Sequence, residues 1–499
     1  MAGQVSRLEG YVGIDMDGVA PAIASLTESS DRLTVRSADA GVPPSVLLSC
    51  LPGEEPILDL TIPPDPRGSG ICGHDPARFD IVRDGAARLP VAYAWELLLA
   101  DEARPWVWRP DGDEPVSLRP GDALGSAVGD LLRALGGLRA EDRSLGPPAL
   151  VVPNVLVESQ LDKVAAGLRS RQVRCRLLWR PVAAALAWIH RHGGSLEVRG
   201  AAPLQSVGRL LHVHLGVDAW EASILELVAF DDQAGRRWVL PGRRLPETSD
   251  TPCLTTVPRH LLEHAVRAAT AEGGGTHAPP ARAWNLMWST GVFREVLGAG
   301  TGAGSGVLPI WTRTDVVEQI RRQLVLALTR GSLDGPKSWP AIDTLLGAQC
   351  VAVGTIRAWF AAAPWGRRAE TLDGAVVTGG FARIPMANGR NLSSAILTHC
   401  PSVAADRLLV EGGRAGECTL LAEGAALFSK RAARGEPTYL DTLPVVRAIA
   451  MLEGEPEWIN LLETDTPWVM GGRTWHSTPE KTKFEIRQGE DRLTLVAHR

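Results

Sequence analysis

The sequence predicts an α/β chain made of two similar halves, followed by a small all-β appendix. Three observations carry this. Strand–turn–strand patterns open at Tyr11 and again at Leu210, and each leads into segments of helical spacing. Each half is interrupted by an inserted stretch, about 37–119 in the first and about 246–310 in the second. After Pro437 the texture changes to short, alternating strands.

The bulk properties set the frame. A chain of 499 residues exceeds what one core holds and suits two to four subdomains. Hydrophobic residues at 45% and charged residues at 22% are ordinary for a soluble globular protein. A net charge of −5 argues against a nucleic-acid surface. The seven cysteines are scattered, odd in number and without a CxxC pair, so a disulfide framework or zinc site is not expected, and a reducing compartment fits. No basic-then-apolar leader and no membrane-length apolar run is visible, which predicts a soluble cytoplasmic protein. Lysine occurs only at Lys163, Lys337, Lys430, Lys481 and Lys483; the other basic residues are Arg.

The elements follow in order. Tyr11 to Asp15 reads as a strand closed by Asp17-Gly18, with Arg32 to Arg36 as the returning strand. Asp122 to Leu138 has helical spacing. Ala149 to Val152 is a buried strand ending in Pro153-Asn154, followed by a helix to about Arg171, a strand at Cys175 to Leu178 and an Ala-rich helix opened by Pro181. In the second half, Leu210 to Val217 and Trp220 to Val228 are strands, and Asp231 to Gly235 is a hairpin turn before Trp238 to Leu240. Asp315 to Thr329 is an amphipathic helix, Ala375 to Val377 a buried strand before Gly379-Gly380, and Leu420 to Ala432 a helix of small residues. Trp458 to Leu462, Thr482 to Ile486 and Arg492 to Val496 form the predicted appendix, 445–499.

Five segments appear in a telling order: GIDMDGV at 13–19, ALVVPNVLVESQLDKVAAGL at 149–168 continued by WRPVAAALAW at 179–188, LLHVHLGVDAWEASIL at 210–225, VVTGGFARIP at 376–385, and AEGAALFSKRAARGE at 422–436. Together they resemble the landmarks of the heat shock protein 70 family, within the actin-like ATPase superfamily. The resemblance implies a ribonuclease-H-like fold of two lobes, with lobe I at 1–200, lobe II at 201–438 and a cleft between them. YLDTLPV at 439–445 falls at the family's linker position, and the appendix then resembles a truncated substrate-binding domain without a helical lid.

The resemblance also assigns site residues. Asp15 takes the place of the strand-end carboxylate that acts through water on a metal–phosphate complex. Gly13 and Gly18 flank it in the phosphate-facing hairpin, whose hydroxyls are missing here and whose Asp17 adds a negative charge. In the matching turn His214 replaces a second carboxylate, and Gly216 is what remains of a glycine run. Val217 and Asp218 there restrict close backbone approach to a phosphate. Asp218 also repels it, by about 4 kcal/mol for unit charges ~4 Å apart at intermediate dielectric. Glu221 keeps an acid slightly further on. Arg180 stands where the family has an acid, and the phosphate-facing lysine has no counterpart before Lys163.

The nucleoside end is better kept. Gly379 and Gly380 allow backbone approach to a ribose or base, and Arg383 resembles the guanidinium that lies on adenine, a contact of roughly 0.5–2 kcal/mol. ATP or ADP is thus the cofactor that the cleft could take, and its magnesium loses its usual supports. The function implied is a pseudo-ATPase of the chaperone family, acting by binding a protein partner such as a paralogous chaperone or another component of a bacterial system. Two alternatives stand beside it. One is an active ATP-dependent chaperone that uses Asp15 and His214 as substituted catalytic residues. The other is a haloacid-dehalogenase-type phosphatase, suggested by Asp15-Met16-Asp17-Gly18 after a strand.

Two shorter patterns have plainer readings. His260-Leu261-Leu262-Glu263-His264 matches a zinc-peptidase pattern, but with no third ligand evident a solvated helix is the expectation. His212 and His214 alternate and so point to one side of a strand; a metal pair is one reading, and the plainer one is a cleft-facing polar His214 with His212 as its neighbour. No metal ligand set is expected. Most of the sixteen tryptophans read as core.

Overall fold

The computed structural model describes residues 10–16, 22–26, 146–156, 158–170, 172–193, 204–232, 234–243, 372–383, 403–411, 420–442, 445–452, 455–460, 468–471 and 495–498, with short pieces between 33 and 128 and within 261–269 and 319–324. Over these residues the chain is mixed α/β, built on two mixed sheets.

The first sheet contains β1 (Tyr11–Asp15), β2 (Ala22–Leu26) and β3 (Leu33–Ser37). In the first predicted insertion, β4 (Ser45–Ser49), β5 (Ile57–Asp59) and β6 (Ala86–Pro90) make a separate small sheet, and β7 (Trp106–Trp108) pairs with β8 (Val116–Leu118). The first sheet is completed by β9 (Ala149–Val152) and, after α1 (Glu158–Ser170), by β10 (Arg176–Trp179), which runs into α2 (Arg180–His192). The strand order is β10-β9-β1-β2-β3. β1, β2 and β3 are antiparallel, while β9 and β10 run parallel to β1.

The second sheet repeats this plan. β11 (Gln205–Leu215), β12 (Trp220–Asp231) and β13 (Arg237–Arg243) are antiparallel; β14 (Gly374–Thr378) and β15 (Leu408–Val410) run parallel to β11. The order β15-β14-β11-β12-β13 matches the first sheet position for position. α3 (Leu420–Ala433) follows β15 as α2 follows β10. β16 (Leu440–Thr442) then adds parallel to β13 and is itself covered by an antiparallel edge strand. β17 (Val445–Leu452), β18 (Glu455–Asn460) and β20 (Leu495–His498) form a three-stranded antiparallel sheet, whereas β19 (Trp468–Met470) is the strand that covers β16. The appendix residues are therefore divided between two sheets.

Alternation along β1 explains how it is covered on both faces. Val12 and Ile14 join Leu150, Val152, Val164 and Leu168 on the α1 side. Tyr11, with Ala22, Ala24 and Leu26 of β2, packs against Ala422, Ala426 and Leu427 of α3. α2 is wedged between the sheets, its alanines and Trp188 sharing a core with Ala149 and Val151 of the first sheet and Leu210, Leu225 and Val376 of the second. β2 is fully buried, so it lacks the alternation that marks a strand in sequence; the strand predicted at Arg32 to Arg36 corresponds to β3, and β2 is the one that returns along β1.

The β12–β13 turn forms where Asp231 to Gly235 predicts it. The Asp232 carboxylate accepts from the backbone N–H of Ala234 and Arg236 and from Trp238 Nε1, at 2.9, 2.8 and 3.0 Å, and Gly235 has φ +74°. Among the described residues no helix is long and apolar enough to cross a membrane. Thr482 to Ile486, Asp17-Gly18 and the His260, Glu263 and His264 positions lie outside the described residues, as does most of the Asp122–Leu138 and Asp315–Thr329 helices.

Candidate functional site

In sheets of this kind ligands bind beyond the carboxyl ends of the parallel strands. Here those ends carry Asp15 from β1, Pro153-Asn154 after β9 and Arg180 after β10 on the first sheet. On the second they carry His214 to Gly216 from β11, Thr378 to Gly380 from β14 and Glu411 after β15. The register makes Asp15 and His214 equivalent. Asp15 pairs with Ala22 and His214 with Glu221, seven positions on in each case (22 − 15 and 221 − 214).

Arg180 occupies the middle of this region. Its position is set by β10 and by the start of α2, of which it is the first residue and Pro181 the second. The guanidinium lies 2.9 Å from Glu221 Oε1 through Nη1 and 2.5 Å from Asp218 Oδ2 through Nη2, with all three side chains at most 2% exposed. The other Glu221 oxygen accepts from the Asn154 backbone N–H at 3.1 Å, and Asn154 Nδ2 donates to Ser223 Oγ at 3.1 Å. Arg243 donates from Nε to Asn154 Oδ1 at 2.8 Å, lies 3.6 Å over the Trp179 ring and faces Asp441 at 3.3 Å. Groups from both sheets thus meet in one buried polar seam.

The charges order themselves accordingly. Burial pushes the Asp218 carboxyl up, but the Arg180 charge, helped by the nearby His214 ring, outweighs it and holds Asp218 well below the usual carboxylate range. Burial raises Glu221; the neighbouring Asp218 charge adds to this, against the pull of Arg180. Burial, then the Arg180 charge, lowers His214 to about 4 despite Asp218.

Thr378 joins the two histidines of β11. Its Oγ1 lies 3.0 Å from His212 Nε2 and 2.9 Å from His214 Nδ1, so both rings lie on one side of the strand as their alternation predicts. His214 Nε2 is 3.5 Å from Asp218 Oδ1, a long contact. One hydroxyl carries one proton, so one ring nitrogen donates to Thr378 and the other accepts from it. With His214 Nε2–H turned to Asp218, His214 Nδ1 accepts from Thr378 and His212 Nε2 donates. That leaves His212 Nδ1 unprotonated, and it has no hydrogen-bond partner among the described residues. Burial, with the His214 and Arg180 charges, lowers the His212 pKa well below its ordinary value, in keeping with a neutral ring.

Several predicted glycines have packing roles. A Cβ on Gly13 would run into the backbone of Ala422 and Ala426 in α3. A Cβ on Gly216 would meet His214 Nε2 and Asp218 Oδ1, so the inside of this turn is filled by its own side chains. The turn closes with Gly216 N–H donating to Ala219 O at 3.0 Å. Gly379, at φ +95°, lies against the backbone of Leu215 and Gly216, and its N–H donates to Glu411 Oε2 at 2.6 Å.

The structure therefore brings His214, Gly216, Glu221 and Gly379 together at the second-sheet strand ends. Asp15 ends β1, buried at 2% exposure, and Gly13 faces α3. Gly380 and Arg383 begin and end a short 3₁₀ helix after β14, and Gly18 lies outside the described residues. Sequence reasoning did not single out Asn154, Arg243, Thr378 or Glu411. The Pro153-Asn154 strand end was a signal for the first; the other three had none. It noted Arg180 as a lost acid, not as the cation that would join Asp218 and Glu221. Among the described residues no group of three or more His, Cys, Asp or Glu is placed to hold a metal ion. A cavity of about 480 Å³ opens at the other end of β10, lined by Arg176, Leu177, Phe428, Glu436, Thr438 and Met470 among others, and none of the predicted site residues lines it. No family model matches the chain, and no curated protein matches it at significant similarity.

Proposed function

We propose that this chain is a heat-shock-70-like protein of the actin-like ATPase superfamily, with two lobes built on the two sheets, that has lost efficient ATP turnover and acts in the cytoplasm by binding a partner protein. The observation that carries the reading is Arg180 held between Asp218 and Glu221. A cleft that hydrolyses ATP needs free carboxylates and open backbone N–H groups for a metal–triphosphate. Here two acids are tied to an internal cation, and the Gly216 turn is filled by His214 and Asp218. These residues do not suit magnesium or a terminal phosphate. The repeated strand order supports the two-lobed reading.

Asp15 at the end of β1 and the 3₁₀ helix from Gly380 to Arg383 support the second reading, an active ATP-dependent chaperone with substituted residues. The antiparallel return of β1 into β2 weighs against the phosphatase, whose nucleophile loop leads into a parallel Rossmann-like layout. Two assays on the full chain separate the readings. ATP turnover with magnesium should not exceed the background, and a pull-down from native cells should recover a stoichiometric partner whether or not ATP is added. Turnover that disappears in Asp15→Asn would favour the active chaperone. Hydrolysis of para-nitrophenyl phosphate lost in the same variant would favour the phosphatase.

A further inference from the structure

The polar seam has a property that the loss of turnover does not require: its members come from opposite sheets. Asn154, Trp179 and Arg180 belong to the ends of β9 and β10 and the start of α2. Asp218, Glu221, Ser223 and Arg243 belong to the β11–β12 hairpin, β12 and β13. The cross-sheet links are Arg180 to Asp218 and Glu221, Asn154 to Glu221 and Ser223, and Arg243 to Asn154 and Trp179. To separate the strand ends, the chain would have to expose or leave uncompensated charges that are now at most a few per cent accessible.

We propose that this seam is a built-in lock that fixes the two sheets in one closed arrangement, so that the surfaces offered to a partner are set at folding and do not respond to nucleotide. The guanidinium of Arg180 is a tethered counter-ion, and unlike a bound cation it cannot dissociate. The buried charges then serve to specify one geometry rather than to add net stability, a use of buried ionic groups known from other systems. The lock rests on the pseudo-ATPase reading for its biological sense, and its test is separate.

Hydrogen exchange by mass spectrometry on the full chain tests it. The triple variant Arg180→Met, Asp218→Asn, Glu221→Gln removes the charges together and keeps side-chain volume. The lock predicts that exchange around Asn154 and through the β11–β12 turn rises about tenfold or more, while β1, α2 and α3 stay close to wild type. It also predicts that the wild-type pattern is the same with and without magnesium and ATP. Unchanged exchange at the seam, or an equal rise in every segment, would overturn the lock. If the triple variant does not fold, Asn154→Ala decides the matter: it removes the side-chain links to Ser223 and Arg243, and Arg243 keeps Asp441 as its counter-charge. A rise of about threefold or more confined to the same segments is then expected, and no local rise overturns the proposal. Turnover of ATP with magnesium alongside an unchanged seam pattern would remove the pseudo-ATPase reading and leave the lock standing.

Discussion

Two joints hold the same pair of sheets, one charged at the strand ends and one closely packed between α2 and α3. In the first, Arg180 reaches Asp218 and Glu221 with all three side chains at most 2% exposed. In the second, the helices meet so closely that a Cβ on Gly424 would run into the Ala183 carbonyl, and an ion pair between Arg191 and Glu423 closes one side. Buried ions are costly to desolvate and tolerate few arrangements, so the charged joint fixes geometry. Close packing of small residues gains many weak contacts and responds little to charge or pH. The chain thus separates holding the halves together from setting how they meet.

Removing one member of the charged joint should have the largest effect. Arg180→Met leaves Asp218 and Glu221 uncompensated and is expected to cost about 3–5 kcal/mol in denaturant unfolding, whereas the neutral triple variant should recover most of the loss. A loss that the triple variant does not recover would mean that the seam contributes net stability rather than geometry.

Acid should affect the charged joint next. The unfolded chain protonates His214 near 6.5, the folded chain only at about 4. Between those values the unfolded state binds more protons, so stability falls as the pH drops through that window, by about 3 kcal/mol for a shift of this size. Asp218 acts in the same sense at lower pH. Its stabilising effect is present above the ordinary carboxylate range and is lost as the pH falls through its lowered folded value. His212, also lowered well below its ordinary value, acts in the same sense, so His214→Gln should lessen but not abolish the dependence of unfolding midpoint on pH between 6.5 and 4; an unaltered slope would contradict the assignment.

The packed joint should behave differently. Gly424→Ala overpacks the α2–α3 contact and should cost about 1–3 kcal/mol with no change in the pH profile. Arg191→Ala should cost a comparable amount, about 1–3 kcal/mol in denaturant unfolding: Arg191 is 45% exposed, but Glu423 is only 3% exposed and would lose its cation at the edge of the joint.

What the sequence made legible follows from how local each signal was. β1, β9, β14, α2 and α3 were readable because strand burial, a Pro at a helix start and small-residue helical spacing are written in a few adjacent positions. β2 was not, because burial on both faces erased its alternation. The covering of β16 by β19 joins segments about thirty residues apart and left no local mark. The same limit applied at the site. Arg180 and Asp218 were each visible as departures from a family pattern, one as a lost acid and the other as a charge that would repel phosphate. Their pairing was not visible, because 38 residues separate them and only the meeting of strand ends from the two sheets brings them together. Gly13 and Gly379 were read for phosphate and ribose, while close backbone contacts with α3 and with Leu215 and Gly216 give each an independent reason to lack a side chain.

Titration calorimetry of the full-length protein with ATP, with and without magnesium, tests most directly whether the strand ends have given up a triphosphate. No magnesium-dependent heat is expected in the micromolar range, for the wild type and for Asp15→Asn alike. Micromolar binding that requires magnesium and is lost in Asp15→Asn would contradict this expectation.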